Sequence, residues 1–332
     1  MDGGALLILG PTLLFAFMNG ASDSGTMVAS LVSSGNLSPR RAALLAAACA
    51  FLGALLLGSA VAHTIGEQLV RVNALPPGSH PFHACVAAAA AALLWCSAAW
   101  LLGFPGSYTH AMLGGWLGAF MALGGPGIVL WRNAGIVLLG VLLTPLLGLV
   151  AAWIAMALLE RATLHLSRKT LPLFRLAEVG AFMALCLAHG ANAAQKSMAL
   201  LVIAGFSLAG DPVPASFDLP PWVRWICSAA FSAGVLLGFS RILKTVGFHI
   251  FRVRPLHSFC ALGTSMLLIL SSTFAGLPLS PGQINSSCLL GAGAGHNYRR
   301  VRWDMAGDLL ANWVLTFPLA AVLSFLIVKV VE

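Results

Sequence analysis

The sequence predicts an all-α polytopic membrane protein of two inverted-topology repeats, with broken or re-entrant helices and about 10–12 transmembrane segments. Three observations predict it. Charged residues are only 8% of 332 (18 Lys+Arg and 10 Asp+Glu), and 59% of the chain is hydrophobic. An ordinary soluble domain carries about 25% charge. Long apolar runs follow one another with short connections, and polar landmarks of the first half recur in the second at a nearly constant offset. A soluble globule could not cover its surface with so few charges, and a disordered chain would not carry so much apolar mass.

Ten apolar runs fall at 5–35, 41–63, 82–104, 107–125, 132–159, 177–206, 222–244, 256–276, 284–297 and 306–331. The start, Met1-Asp2-Gly3-Gly4, lacks the basic stretch of a cleavable leader, so the first run is read as a retained helix. Polar residues interrupt the first and sixth runs; the fourth and ninth are short and Gly-rich, as half-spans would be. The expected organisation is a first repeat at 1–160, a basic cytoplasmic linker at 161–176 and a second, inverted repeat at 177–332.

Basic residues orient these runs. With the N-terminus outside, the inner loops hold Arg40, Arg41, Arg161, Arg168, Lys169, Arg175, Arg241, Lys244, Arg252, Arg254, Arg299, Arg300 and Arg302. The outer segments hold Arg71, Arg132, Arg224 and Lys329, and Lys196 alone lies within a run. This asymmetry accounts for the net charge of +8 without nucleic acid as a partner. It also predicts an integral protein of the plasma (inner) membrane, in contact with lipid and with both termini external. The seven cysteines stand singly in or beside apolar runs and read as small packing residues.

The second half repeats the first. Asn19-Gly20-Ala21-Ser22-Asp23 aligns with His189-Gly190-Ala191-Asn192-Ala193 at an offset of 170. Gly103-Phe104-Pro105-Gly106-Ser107 aligns with Gly276-Leu277-Pro278-Leu279-Ser280, and Pro145 with Pro318, both at 173. Five crossings per half is an odd number, so the halves are expected to be inverted. Matching helix breaks in inverted repeats are where many secondary transporters bind substrate and coupling ions, because free helix ends present N–H and C=O groups to them.

Charge sits at these landmarks. A central Asp in a membrane helix costs about 2.5–3.5 kcal/mol, which points to Asp23 as a cation ligand or proton carrier. Lys196, at the equivalent level of the second half, is expected to pair with Asp23, to face an anion, or to do both. Ser107-Tyr108-Thr109-His110 and Ser280 precede helix starts, where hydroxyls and backbone donors suit a tetrahedral oxyanion. Asp308 is expected at the interface near Arg302. The remaining histidines form no metal-ligand spacing with a carboxylate, and no P-loop, GxSxG or HExxH is present. An enzyme, an ATP-driven pump and a resident cofactor or metal are therefore not expected.

Several segments combine into a family pattern: Asn19 through Thr26 with Leu37-Ser38-Pro39-Arg40, His189 through Lys196, and Ser107, Thr109, His110 and Ala111 followed by Gly114-Gly115. Thr245-Val246-Gly247 leading to Arg254-Pro255, and Val301 through Thr316, complete it. Together these resemble the inorganic phosphate transporter (PiT) family, in its bacterial low-affinity permease form, over most of the chain. The resemblance implies cation-coupled phosphate symport by alternating access. It assigns the coupling cation, H+ or Na+, to Asn19, Asp23 and Asn192, and phosphate to Ser107, Thr109, His110 and Ser280, with Gln195 and Lys196 lining the site. It leaves open a metal–phosphate complex as the transported species, and a homodimer.

The chain also departs from the family pattern. Ser22 stands where the family has an Asn or His before Asp, Ala193 replaces its second Asp, and Ser280-Pro281-Gly282-Gln283 replaces a second S-T-T-H. With one of two carboxylates gone, coupling to protons is expected over sodium, with Asp23 as carrier. Two alternatives stay open: a permease for sulfate or another oxyanion on the same fold, and a non-transporting phosphate sensor or accessory subunit.

Overall fold

The computed structural model describes residues 3–101, 106–165, 168–214, 217–249 and 253–332. Eleven α-helices run through them: α1 (Gly3–Ser33), α2 (Pro39–Leu56), α3 (Ala60–Glu67), α4 (Pro81–Leu101), α5 (Tyr108–Gly124) and α6 (Trp131–Thr163), followed by α7 (Leu171–Ala209), α8 (Pro221–His249), α9 (Pro255–Phe274), α10 (Pro281–Asn297) and α11 (Trp303–Val331). Among the described residues, seven of them (α1, α2, α4, α6, α7, α9 and α11) are long and apolar enough to cross a membrane. The chain is an integral membrane protein.

Local sequence sets the boundaries. Helices α2, α4, α8, α9 and α10 begin at Pro39, Pro81, Pro221, Pro255 and Pro281, where the missing N–H would have no helical partner anyway. Helix α7 stops at Gly210, whose φ of 76° is the left-handed cap that lacks a Cβ penalty. The second apolar run, 41–63, is divided between α2 and α3.

Two pairs of helices form hairpins. Backbone pairing of Val70 with Val129 joins the loop before α4 to the loop after α5, so α4–α5 enters and leaves by one face. His257 near the start of α9 meets His296 near the end of α10, with ring centroids 4.4 Å apart, so α9–α10 does the same. Helix α6 starts beside the first base, and its Glu160 reaches His296 at the second. Its 33 residues span about 50 Å, so the two bases lie at opposite ends and the hairpins point toward each other. This is the inverted arrangement expected from the repeat. Phe104 and Pro105, together with Gly103, lie outside the described residues.

The halves interlock through glycine. Gly20 of α1 lies against the backbone of Phe231 in α8, and its repeat mate Gly190 of α7 lies against Ala50 in α2. Gly114 and Gly118 of α5 meet Phe317 and Ala321 of α11, while Gly291 and Gly295 of α10 meet Leu149 and Trp153 of α6. At each of these positions an added Cβ would strike a backbone carbonyl. Small residues spaced by four let helices approach this closely in lipid. Each half thus supplies the packing surface for the other.

One expectation is corrected here. The motifs at Asn19–Asp23 and His189–Ala193 do not interrupt their helices; α1 and α7 run through them unbroken. Their glycines serve close packing rather than a break. Asp308 is exposed, and Arg302 pairs with Asp304 at 2.8 Å.

These contacts carry a testable consequence. Gly190→Ala should destabilise the detergent-purified protein by about 1–3 kcal/mol through overpacking against Ala50. Gly180→Ala, on the same helix with open space around it, should leave stability undiminished or raise it by about 0.4–1 kcal/mol.

Candidate functional site

The two hairpin tips meet deep in the protein. Ser107 and Ser280, repeat mates at an offset of 173, are joined by a hydrogen bond of 3.2 Å from Ser107 Oγ to Ser280 Oγ. Each is the N-cap of its helix, α5 or α10, and Ser107 Oγ also accepts from His110 N at 3.2 Å. Two helix N-termini therefore converge, each presenting unsatisfied N–H groups and the positive end of a dipole.

A buried cation reinforces this positive region. Lys196, 0% exposed on α7, donates from Nζ to Asn192 Oδ1 at 3.0 Å and to the Leu279 carbonyl at 3.1 Å. The same carbonyl accepts from Thr109 Oγ1 at 3.2 Å. Leu279 directly precedes Ser280, so the ammonium is held beneath the α10 tip. No direct hydrogen bond joins Lys196 to Asp23, the pairing that was one of the two compatible readings of the sequence.

Asp23 has a partner that sequence reasoning passed over. His189 Nε2 lies 2.9 Å from Asp23 Oδ2, joining α1 to α7. When the carboxylate is ionised it only accepts, and Nε2–H is then the donor. The other carboxylate oxygen, Oδ1, lies against Gly282 in the first turn of α10, where a side chain would collide with it. Repeat symmetry would have signalled the pair: His189 is the mate of Asn19, and Asp23 of Ala193. In the reciprocal positions, Asn19 and Ala193, the carboxylate and the imidazole are both absent.

His110 and Gln283 are also repeat mates, and they touch. Gln283 Nε2 lies 2.9 Å from His110 Nδ1. An amide nitrogen can only donate, so Nδ1 accepts and the neutral ring carries its proton on Nε2. His110 Nε2 and Gln283 Oε1 are buried with no protein partner, as are Ser22 Oγ and Ser286 Oγ. Buried polar atoms of this kind call for a ligand or water.

The other expected site residues divide. Asn192 donates to Thr273 Oγ1 at 3.0 Å and to the Leu277 carbonyl at 3.3 Å, which ties α7 to the α9–α10 connection rather than to Asp23. Gln195 turns its polar atoms to backbone: Oε1 accepts from Val61 N (2.8 Å) and Ala62 N (3.2 Å), and Nε2 donates to Leu57 O (3.3 Å). It fastens the α2–α3 break instead of facing the tips. Asn19 is buried on α1 one turn before Asp23. The structure thus brings Ser107, Thr109, His110, Lys196 and Ser280 together at the tips, with Asp23 and His189 beside the α10 end.

Comparison with known proteins bears on the family and the fold. A family model described as "Phosphate transporter family" matches twice, over residues 19–172 and 163–324. The chain is 34% identical to a "Probable low-affinity inorganic phosphate transporter" of Mycobacterium tuberculosis, over 96% of this chain and 75% of that protein. It is 32% identical to a protein of the same description from Bacillus subtilis, over 96% of this chain and 94% of the relative. Among solved structures, one titled "The sodium-dependent phosphate transporter" superposes with a TM-score of 0.88, covering 99% of each chain at 19% identity. At that identity the likeness shows the fold.

The contact between the tips can be measured. A double-mutant cycle of His110→Leu and Gln283→Leu, read by thermal melts, should give a coupling energy of about 0.5–3 kcal/mol. A value near zero would mean that the two side chains do not meet.

Proposed function

The chain belongs to the phosphate transporter family, and on that premise we propose that it carries inorganic phosphate across the plasma membrane by proton-coupled symport and alternating access. One observation carries the reading: two helix N-termini and a buried Lys196 converge within reach of a buried Asp23–His189 pair. The first group attracts an oxyanion, and the second can hold an exchangeable proton.

Phosphate enters between the tips and replaces the Ser107–Ser280 hydrogen bond with bonds from both hydroxyls to its oxygens. His110 Nε2–H donates to a third position, and Lys196 supplies the positive charge. Gln283 Oε1 adds a buried acceptor. An acceptor matches an anion that still carries a proton, as phosphate does near neutral pH and sulfate does not. This favours phosphate over the sulfate alternative.

Coupling is assigned to Asp23. A proton taken up by the carboxylate cancels one negative charge beside the α10 end as the anion arrives, and its release on the other side reverses the step. His189 positions Asp23 and offers a titratable nitrogen in direct contact. Movement of the two hairpins against the interlocked helices opens the site to one face and then to the other. A single carboxylate-bearing motif, where the family pattern has two, supports protons over sodium.

The test is radiolabelled phosphate uptake into proteoliposomes with proton and sodium gradients imposed separately. The proton gradient should drive uptake in the wild type. Asp23→Asn should abolish that uptake, and His189→Gln, which keeps a donor but cannot titrate, should bind phosphate without responding to the gradient. Sodium-driven uptake that disappears in Asp23→Asn would overturn the proton assignment. Sulfate competing as well as phosphate would overturn the substrate.

A further inference from the structure

Away from the hairpin tips, at the face that carries Arg161, three side chains from three helices converge. Glu160 lies in the last turn of α6, His257 in the first turn of α9 and His296 in the last turn of α10. Each offers a ligand atom, and these atoms all lie within 4.8 Å of one another. Glu160 Oε1 is in hydrogen-bond contact with His296 Nδ1, and the two imidazole rings meet at a tilt of 43° with centroids 4.4 Å apart. A cavity of about 510 Å³ opens beside them, lined also by Thr163, Thr170 and Arg254.

We propose that Glu160, His257 and His296 form a binding site for a divalent transition-metal ion of the Zn2+ class. Two imidazoles and a carboxylate are a common zinc ligand set, leaving a fourth position for water from the cavity. Metal–ligand bonds of about 2.0–2.2 Å set tetrahedral ligand atoms roughly 3.3–3.6 Å apart, so the metal must take the place of the Glu160–His296 hydrogen bond, parting those two atoms slightly while His257 closes in. Glu160 and His296 are half-buried; His257 is buried, and its Nδ1 accepts from Arg254 N at 3.3 Å, which makes Nε2 the nitrogen to meet a metal. Imidazole selects Zn2+ over Mg2+ or Ca2+, which prefer oxygen throughout. Arg254 beside the cavity further disfavours a cation held by charge alone.

The arrangement has a consequence for the fold. Glu160 belongs to the first half and the two histidines to the second, so a bound metal would staple the base of the α9–α10 hairpin to α6. That hairpin carries Ser280 and Gln283 at its other end. A metal here would restrain the element proposed to move, from a site separate from the tips. The site stands on this geometry whether or not the transport reading holds.

Zinc titration of the detergent-purified full chain, followed by calorimetry in phosphate-free buffer, tests it. One Zn2+ per chain should bind, and it should raise the melting temperature as a ligand specific for the native state does. His257→Ala and His296→Ala should each weaken binding by about tenfold or more, while His296→Cys, which restores a zinc ligand, should recover it. His63→Ala and His83→Ala, at histidines beside other carboxylates, should leave binding unchanged. All seven native cysteines are buried and do not compete. Absence of one-site binding by the wild type would overturn the proposal, as would binding left intact in both alanine variants at the triad.

Discussion

An unpaired backbone group inside a bilayer costs several kcal/mol, so a chain can end a helix at mid-depth only where protein covers the exposed end. Most of this architecture follows from that constraint. Helices α5 and α10 both begin in the interior, and each start covers the other through Ser107 and Ser280. Neither tip could lie there alone. Thr109 and Lys196 converge on the Leu279 carbonyl, supplying donors to a group that no helix satisfies. The demand for pairing thus builds a polar, positively charged junction where the rest of the protein is apolar.

The interlocked packing meets the same demand at larger scale. Glycines at 20, 190, 114, 118, 291 and 295 bring helices of opposite halves to backbone contact. Such contacts hold two inverted repeats together without a hydrophobic driving force, because lipid is as apolar as the core. Glu178 of α7, wholly buried, accepts from Ser34 Oγ and Asn36 Nδ2 and so binds the turn after α1 to the second half.

Much of this was legible in the sequence, and the reasons differ by element. Hydropathy exposes apolar runs directly, so the all-helical membrane class followed from composition. The offset of 173 linked Ser107 to Ser280 before any coordinates did, because repeat mates at an inverted axis fall on top of one another. Periodicity could not say what a glycine does. Gly20 and Gly190 looked like breaks, yet they sit in continuous helices and serve contact with a neighbour, a property of the partner's backbone rather than of the local chain. The His189–Asp23 pair joins residues 166 apart; only pairing each motif with the other repeat's motif would have exposed it. Gln283 read as a lost histidine and proves to be the partner of the remaining one, His110. Gln195 matched a site motif, but its contacts with Val61, Ala62 and Leu57 are tertiary and invisible to a motif.

The central claim is that phosphate occupies the junction of the two hairpin tips. An experimental structure determined at saturating phosphate tests it most directly. Tetrahedral density is expected between the starts of α5 and α10, within hydrogen-bond distance of Ser107 Oγ, Ser280 Oγ and His110 Nε2, with the direct Ser107–Ser280 bond broken. Phosphate bound elsewhere, with that bond intact, would contradict it.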